Sequence, residues 1–257
     1  MEEHGRNFDD LVERLSQRVH AGPKGQLRLR GCIRQIRASV VELEERPLRV
    51  LDVGAGLGQI AVLLAADGHE VTAMDLSANM VDAIRAHASE NRVSVRCIHG
   101  SLQTTARSFA DKGEQFDLVC CHAALEWMTD PEAAVACLKA LVRPQGWLSL
   151  LCYNNAALVH RNLLRGNFRR AQATEQVGTE GGLTPSHPLE LQQLEKWLSN
   201  AGFDLHDRYG VRSILDFLPR ELVAARGADS IDDIEQWLEQ REPHWRLARY
   251  LHLIARG

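Results

Sequence analysis

The chain has 257 residues, of which 45% are hydrophobic and 25% charged, and its formal net charge is −4. These values are typical of an ordinary soluble globule and exclude a uniformly basic nucleic-acid-binding protein. The longest apolar runs are far shorter than a membrane span, and the first residues are too polar for a secretory signal, so we expect a cytoplasmic protein. None of the six cysteines forms a Cys-x-x-Cys pair. This favours buried reduced thiols and predicts no metal site.

Residues 6–46 precede the first predicted strand. Their apolar residues recur at helical spacing on both sides of the Gly/Pro-rich segment 21–25. The sequence therefore predicts an N-terminal helical cap over residues 6–46. We expect this cap to lie over the glycine turn described next and to close a cofactor pocket.

A buried strand, a glycine turn and the start of a helix follow one another around Asp52. Gly54, Gly56 and Gly58 allow a sharp turn and a close approach of the backbone to a ligand. A dinucleotide-binding fingerprint would need its third glycine at position 59, which is Gln59. The acid before the glycines would repel a pyrophosphate but suits an ammonium group. A chance glycine turn in a parallel α/β domain is the alternative.

The next predicted strand, 69–74, ends at Asp75. This carboxylate follows the glycines by about 20 residues, where such folds hold a ribose diol. One acid for an ammonium group and one for a ribose, with no phosphate cradle, indicate S-adenosylmethionine as the cofactor. The pattern resembles the motif of class I methyltransferases.

Three further predicted strands end in candidate site residues. After strand 93–98, Leu102 could stack on the adenine and Gln103 could hydrogen-bond to it. Strand 115–121 ends at His122, a site candidate because parallel strands carry ligands at their carboxyl ends; a histidine that merely caps the strand is the alternative. Strand 147–153 ends at Tyr153. The alternation of strands and helices predicts a doubly wound parallel sheet.

Residues 154–188 interrupt this alternation, and we interpret them as a substrate lid, because long loops in compact domains usually serve a function. No Asp or Glu occurs from Ala133 to Thr174. A local positive field of this kind is what a polyanion would meet. The lid residues predicted to bind phosphates are Arg161, Arg165, Arg169 and Arg170. A solvated basic surface is the alternative.

The chain then continues with an amphipathic helix over 188–200 and a strand over 203–211 that ends at Arg212. A helical insertion, 212–243, precedes a last strand at 245–255, which matches the reversed seventh strand of class I methyltransferases. We therefore expect a single α/β domain over residues 1–257, with a seven-stranded, mostly parallel sheet.

Specific segments give a closer resemblance, to the bacterial tRNA 5-carboxymethoxyuridine methyltransferase family. They span nearly the whole chain, including the lid that general methyltransferases lack. The matching segments are Asn7–Asp10, Lys24–Arg28, Arg49–Asp52, Asp75–Ser77, His122–Trp127, Tyr153–Asn154, Gly166–Phe168, Gly210–Arg212 and Arg249–His252.

The resemblance implies a tRNA with a modified wobble uridine as the partner and methylation of its carboxylate to the methyl ester. It also implies cofactor contacts at a set of residues that extends the one above. These are Arg28, Gly54, Ala55, Gly56, Asp75, Leu102, Gln103 and His122; Asp52, for the ammonium group, and Leu76 complete the predicted set of cofactor-binding residues. The family tends to have a third glycine where Ala55 stands, and alanine fits there if its φ is negative.

A carboxylate is already ionised at neutral pH, so methyl transfer to it needs no general base. We expect Arg212 and Arg28 to orient the substrate carboxylate and Tyr153 to add a hydrogen bond. Two alternatives remain: a small-molecule O-methyltransferase of the same fold, whose activity would be insensitive to salt, and a catalytically silent cofactor-binding partner of tRNA.

Overall fold

The computed structural model describes residues 22–173, 185 and 188–257. Its strands are β1 (Arg49–Val53), β2 (Glu70–Asp75), β3 (Val95–His99), β4 (Phe116–His122), β5 (Val142–Tyr153), β6 (Asp204–Val211) and β7 (Tyr250–Arg256). Its α-helices are α1 (Pro23–Ser39), α2 (Glu42–Glu45), α3 (Gln59–Ala66), α4 (Ala78–Glu90), α5 (Leu102–Asp111), α6 (Pro131–Leu141), α7 (Asn155–Leu164), α8 (Phe168–Ala171), α9 (Leu191–Asn200), α10 (Arg220–Arg226) and α11 (Ala228–Leu238). Two short 3₁₀ turns, Leu125–Trp127 and His244–Leu247, complete the described elements.

The strands form one seven-stranded sheet in the order β3-β2-β1-β4-β5-β7-β6. Neighbours from β3 to β5 are parallel, whereas β7 runs antiparallel to both β5 and β6. The predicted mostly parallel sheet with a reversed last strand is therefore confirmed. Because the parallel strands share a direction, their carboxyl ends meet at one edge, where ligands of such sheets bind.

Two apolar layers cover the sheet, and β1 contributes to both because successive side chains of a strand point to opposite faces. Val50 packs with residues of α1, α3 and α4, including Ile36, Leu64 and Ile84. Leu51 packs on the opposite side with residues of α5 and α6, including Phe109. Helices on both faces explain why the strands are almost continuously apolar.

Polar side chains begin several of the helices. Ser77 accepts a hydrogen bond from the Met80 N–H at the start of α4, and Asp130 caps α6 just before Pro131. Asn154 caps α7 by accepting from the Ala156 N–H. Each cap joins residues that are close in the sequence, so the sequence alone could indicate where these helices begin.

Other boundaries differ from the predictions because tertiary contacts set them. The last strand begins at Tyr250 rather than at Trp245, which lies in a 3₁₀ turn. A side chain at Gly210 would come within 2.7 Å of the Trp245 Cα. The backbone at Trp245 therefore packs against Gly210 of β6 and does not run beside β6 as a strand. Helix α9 begins at Leu191 rather than at 188, because Leu189 forms a bridge with Asn154.

The first helix also starts earlier than expected, at Pro23, inside the segment predicted as an interruption. Proline is favoured in the first turn of a helix, where its missing N–H costs nothing. The amphipathic helix predicted between Phe8 and Val19 and the loop 174–184 lie outside the described residues. No helix in the described part of the chain is long and apolar enough to cross a membrane.

Candidate active site

A cavity of about 510 Å³ opens at the carboxyl ends of β1 to β5, under α1 and α7. The ten residues predicted to bind the cofactor all line it. They are Arg28, Asp52, Gly54, Ala55, Gly56, Asp75, Leu76, Leu102, Gln103 and His122. The residues that the sequence predicted as one set therefore lie together in one half of this cavity, which we call the cofactor half.

The glycine turn of the cofactor half is held open by backbone geometry. Gly54 and Gly56 have φ of +65° and +55°, conformations that glycine adopts without strain. A Cβ built on Gly56 meets nothing within 4 Å, so a side chain there would enter open space. Gly58 differs, because its Cβ would come within 3.0 Å of Ile84; this glycine permits close helix packing. Ala55 is not among the residues with positive φ, as its presence in the turn requires.

The Asp75 carboxylate at the end of β2 is tied to this turn. Its Oδ2 accepts from the Gly56 N–H and its Oδ1 from the Ser77 N–H, both at 2.9 Å. The carboxylate is thus fixed in orientation at the wall of the cavity. This arrangement fits the two hydroxyls of a ribose.

Asp52 is 3% exposed, and burial together with the neighbouring Asp75 raises its pKa to about 7. A buried carboxyl with a raised pKa is stabilised in its ionised form by a cation beside it. The ammonium group of S-adenosylmethionine supplies such a cation. The residues of the cofactor half therefore fit this cofactor.

His122 belongs to a buried chain of hydrogen bonds that crosses the sheet. Its Nε2 lies 2.8 Å from the Ser149 Oγ, which lies 2.8 Å from the His252 Nε2, and the His252 Nδ1 lies 2.7 Å from the Gln35 Oε1. The Gln35 Nε2 donates to the Gly210 carbonyl and to Glu239. We call Gln35, His252, Ser149 and His122 the relay.

The orientation of Gln35 fixes every proton of the relay. Because its amide oxygen accepts, the His252 Nδ1 is the donor and the His252 Nε2 accepts from the Ser149 hydroxyl. The Ser149 oxygen in turn accepts from the Nε2–H of His122, which leaves the His122 Nδ1 as an acceptor. Burial lowers the pKa of His122 to about 3, with a smaller effect from Arg28, so this ring is neutral. Burial likewise holds the pKa of His252 well below its usual range.

The other half of the cavity, which we call the basic half, is lined by long cationic side chains. These are Lys24, Arg161, Arg165, Arg212 and Arg249. Arg161 and Arg165 thus line the cavity, whereas Arg169 and Arg170 do not, among the residues that the structure describes. The predicted roles of all four in phosphate binding stay predictions.

Arg212 lines the cavity but is paired with an acid. Its Nη2 donates to both oxygens of Asp216, at 2.6 and 2.5 Å, and Asp216 also accepts from Lys24 at 2.9 Å. Burial raises the pKa of Asp216, but the cations Arg212, Arg249 and Lys24 together outweigh burial, so the net effect lowers this pKa. Lys24 is therefore part of the cavity wall. Its proximity to Asp216 was not predictable from spacing.

Tyr153, at the end of β5, is 3% exposed, and its hydroxyl has no hydrogen-bond partner within the described part of the chain. The Arg249 guanidinium stacks over its ring at 4.5 Å. Glu126 accepts a hydrogen bond from the Tyr153 backbone N–H at 3.0 Å. Burial raises the pKa of Glu126 to about 7.

Sequence reasoning assigned no site role to Arg249, Asp216 or, apart from His122, the residues of the relay. The signals that could have found them were the segment Arg249–His252, which carries the family resemblance, and the polar residues Ser149 and His252 in otherwise apolar strand patterns. His, Cys, Asp and Glu side chains in the described ranges form no group of three that could hold a metal ion. All six cysteines are free thiols, and four of them are buried.

Comparisons with known proteins agree on the fold and the cofactor. Residues 51–150 match the family described as methyltransferase domain. The structure resembles the crystal structure of magnesium protoporphyrin IX methyltransferase from Synechocystis PCC 6803 with bound SAH, with a TM-score of 0.64 and 16% identity over 97% of this chain and 95% of that chain. This is the class I methyltransferase fold, and the cofactor is S-adenosylmethionine.

Sequence relatives narrow the family. A ubiquinone biosynthesis O-methyltransferase from Xanthomonas axonopodis pv. citri is 31% identical over 66% of this chain and 68% of its own length. The tRNA 5-carboxymethoxyuridine methyltransferase of Escherichia coli (strain K12) is 34% identical over 98% of this chain and 96% of its own length. The match extends through the basic half of the cavity as well as the cofactor half. The chain therefore belongs to the tRNA 5-carboxymethoxyuridine methyltransferase family.

Proposed function

We propose that this protein methylates the carboxylate of 5-carboxymethoxyuridine at the wobble position of tRNA, giving the methyl ester, in the cytoplasm. The observation that carries the proposal is a single cavity in which the cofactor half meets the basic half. The first half fits S-adenosylmethionine, and the second offers cationic groups to an anionic substrate. The near full-length similarity to the E. coli enzyme supports the choice of substrate.

The geometry suits a direct displacement on an ionised nucleophile. When bound, S-adenosylmethionine supplies an electrophilic methyl group on a sulfonium. The substrate carboxylate has an ordinary pKa near 4, so no residue has to remove a proton from it. The chain contributes by orienting the carboxylate with its basic half and by excluding water from a cavity between the sheet edge, α1 and α7.

An RNA substrate is supported by the surface next to the cavity. Helices α7 and α8 lie in the span without acids, and they expose Leu163, Leu164 and Phe168, the last at 61%. Arg165, Arg169 and Arg170 lie among these apolar side chains in the sequence. Basic residues beside exposed aromatic ones are typical of surfaces that bind single-stranded nucleic acid, such as an anticodon loop.

The test is mass spectrometry of wobble nucleosides from tRNA that carries 5-carboxymethoxyuridine. The tRNA is incubated with the protein and S-adenosylmethionine, and in parallel with the Asp75→Ala variant as a control for the cofactor half. We expect the methyl ester to appear only with the wild-type protein. Unchanged 5-carboxymethoxyuridine after incubation with folded, cofactor-binding wild-type protein would refute the proposed substrate.

A further inference from the structure

The basic half of the cavity carries more positive than negative charge. Its acid, Asp216, is already shared between Lys24 and Arg212. Asp52 and Asp75 belong to the glycine turn on the other side. Within the described ranges, no direct ion pair joins Arg161 or Arg249 to an acid, although Asp216 acts electrostatically on both. The Nε of each, like that of Arg212, is buried without a hydrogen-bond partner.

These two arginines act on Tyr153. Arg249 stacks on the Tyr153 ring at 4.5 Å, and the charges of Arg249 and Arg161 act on the Tyr153 hydroxyl, which has no hydrogen-bond partner in the described part of the chain. Burial, with smaller contributions from Arg249 and Arg165, lowers the pKa of Arg161 against the opposing effects of Tyr153 and Asp216. Arg249 also has a side-chain hydrogen bond with Tyr250, but its Nε, the Arg161 Nε and the Tyr153 hydroxyl are unused. Such unused donors, gathered in a buried place, are stabilised by a bound anion.

The position of the group sets it apart from the cofactor half. Tyr153 ends β5 and Arg249 precedes β7, and these strands lie two and three places from β1 in the sheet. At about 4.8 Å per strand, the group is on the order of 10 Å or more from the glycine turn. Such a distance is suited to a substrate that meets the cofactor from the far side of the cavity.

We propose that Tyr153, Arg161 and Arg249 form the receptor for the substrate carboxylate, and that Arg212, held by Asp216, is not its principal ligand. This inference rests on the proposed function, because it names the residues that hold the group to be methylated. Arg249 is the central member, since its guanidinium presents donors from a fixed position against the Tyr153 ring.

The receptor also accounts for turnover. One carboxylate oxygen is held by the arginines while the other attacks the methyl carbon. The new O–C bond forms as the C–S bond breaks, its electron pair stays on sulfur, and no proton is transferred. The product ester is neutral and binds the two arginines only weakly, so the receptor binds the substrate and releases the product.

The experiment compares two anticodon stem-loop RNAs, one with 5-carboxymethoxyuridine and one with 5-methoxyuridine, which lacks the carboxylate. Binding of each to the protein saturated with S-adenosylhomocysteine gives a discrimination ratio. We expect Arg249→Gln and Arg161→Gln each to reduce this ratio by about ten- to one hundredfold, the range for a lost hydrogen bond to a charged group. Tyr153→Phe, which removes one oxygen atom, should reduce it by about three- to tenfold.

Arg256→Gln is the matched control. Arg256 lies at the other end of β7 and stacks on Trp147 at 4.4 Å, away from the cavity, so the ratio should not change. Arg249→Lys should restore part of the ratio. An unchanged ratio in folded Arg249→Gln and Tyr153→Phe would overturn the receptor. Equal losses of cofactor affinity and of discrimination would also overturn it, because the group would then hold the carboxylate of the cofactor.

A small probe separates this inference from the proposed function. Phenoxyacetate carries the same O–CH₂–COO⁻ group as the modified base. If the wild-type protein fails to methylate the RNA but binds phenoxyacetate through Arg249, the receptor stands and the proposed tRNA substrate fails. If it methylates the RNA while Arg249→Gln keeps full discrimination, the function stands and the receptor fails.

Discussion

The two halves of the cavity are built in different ways. The cofactor half is centred on a short span of chain, 52–76, in which strand ends place backbone groups and short acids around a glycine turn; Arg28 of α1, Leu102, Gln103 and His122 complete it. The basic half comes from the start of α1, from the end of β5, from α7 and the residue after it, and from the residues that follow β6 and precede β7. Its side chains are long, and their positions depend on stacking and on ion pairs.

This difference explains how proteins of one fold can share a cofactor and differ in substrate. The cofactor half depends on local geometry that any strand–turn–helix unit can supply. In the basic half, Asp216 forms direct ion pairs with Arg212 and Lys24, whereas it acts on Arg161 and Arg249 without a direct ion pair. If Tyr153, Arg161 and Arg249 hold the substrate carboxylate, substrate specificity depends on the paired charges as much as on the unpaired ones.

The largest effect should come from Gly56→Val. A branched side chain at φ +55° is strained and would fill the open space that Gly56 faces, so we expect cofactor binding to fall below detection in calorimetry. Gly113→Val is the control, because Gly113 has φ of +64° and open space around its Cβ but lies on an exposed turn. Wild-type affinity in a folded Gly56→Val variant would contradict the position of the cofactor.

Asp75→Ala should have the next largest effect. It removes the carboxylate that fits the ribose and the acceptor of the Gly56 N–H, so cofactor affinity should fall by about one hundredfold or more. The fold should persist, because this acid lies at a strand end. Asp82→Ala, which removes an exposed acid of α4, should bind the cofactor normally in the same calorimetric titration.

A pH dependence should distinguish the acids of the cavity. Because its pKa is near 7, Asp52 is protonated at acidic pH. The protonated form stabilises the folded protein without ligand. This contribution to the free energy of unfolding is lost as the pH rises through about 7. An ammonium group requires the ionised form. Cofactor affinity should therefore fall by up to about tenfold per pH unit below 7, with release of a proton on binding.

Calorimetry in two buffers of different ionisation enthalpy measures that proton. Asp52→Asn should remove the release, whereas Glu126→Gln tests the other cavity acid whose pKa is about 7. Proton release that persists in Asp52→Asn and disappears in Glu126→Gln would assign the ammonium site to Glu126 instead.

Ser149→Ala should have a smaller effect, through the relay. Without the hydroxyl, the His122 Nε2–H loses its acceptor and the ring is free to change tautomer. We expect a changed ¹⁵N spectrum of His122 and a severalfold loss of cofactor affinity, of the order of one hydrogen bond. Ser39→Ala, which removes a buried hydroxyl bonded to Asp207 and Tyr209, should leave the His122 spectrum unchanged.

The smallest effect on the chemistry should come from Arg165 and Arg169 changed together to alanine. If they contact phosphates, the slope of log affinity for tRNA against log salt should decrease by roughly 0.7 to 0.9 for each contact. Cofactor affinity should stay near that of the wild type. Arg107 and Arg226, both exposed, provide the control pair. An unchanged slope would mean that this stretch is only a solvated surface.

The sequence alone predicted the sheet and its reversed last strand, which the structure confirms, and it predicted ten cofactor-binding residues, all of which line the cavity. This was possible because a strand, a glycine turn and a helix cap interact over a few residues, so spacing fixes their geometry. The carboxyl ends of parallel strands then meet at one edge, which brought Asp52, Asp75 and His122 together without knowledge of any long-range contact.

Which long side chains contact one another depends on tertiary contacts that the sequence pattern does not predict. The hydrogen bond between Gln35 and His252 joins residues 217 positions apart, and the stacking of Arg249 on Tyr153 requires β7 to lie beside β5. Even the start of β7 at Tyr250, rather than at Trp245, depended on the close approach of the chain to Gly210. An arginine's range of rotamers lets it reach several partners, and burial and the nearest acid select among them. The periodicity of the sequence does not predict which partner an arginine contacts.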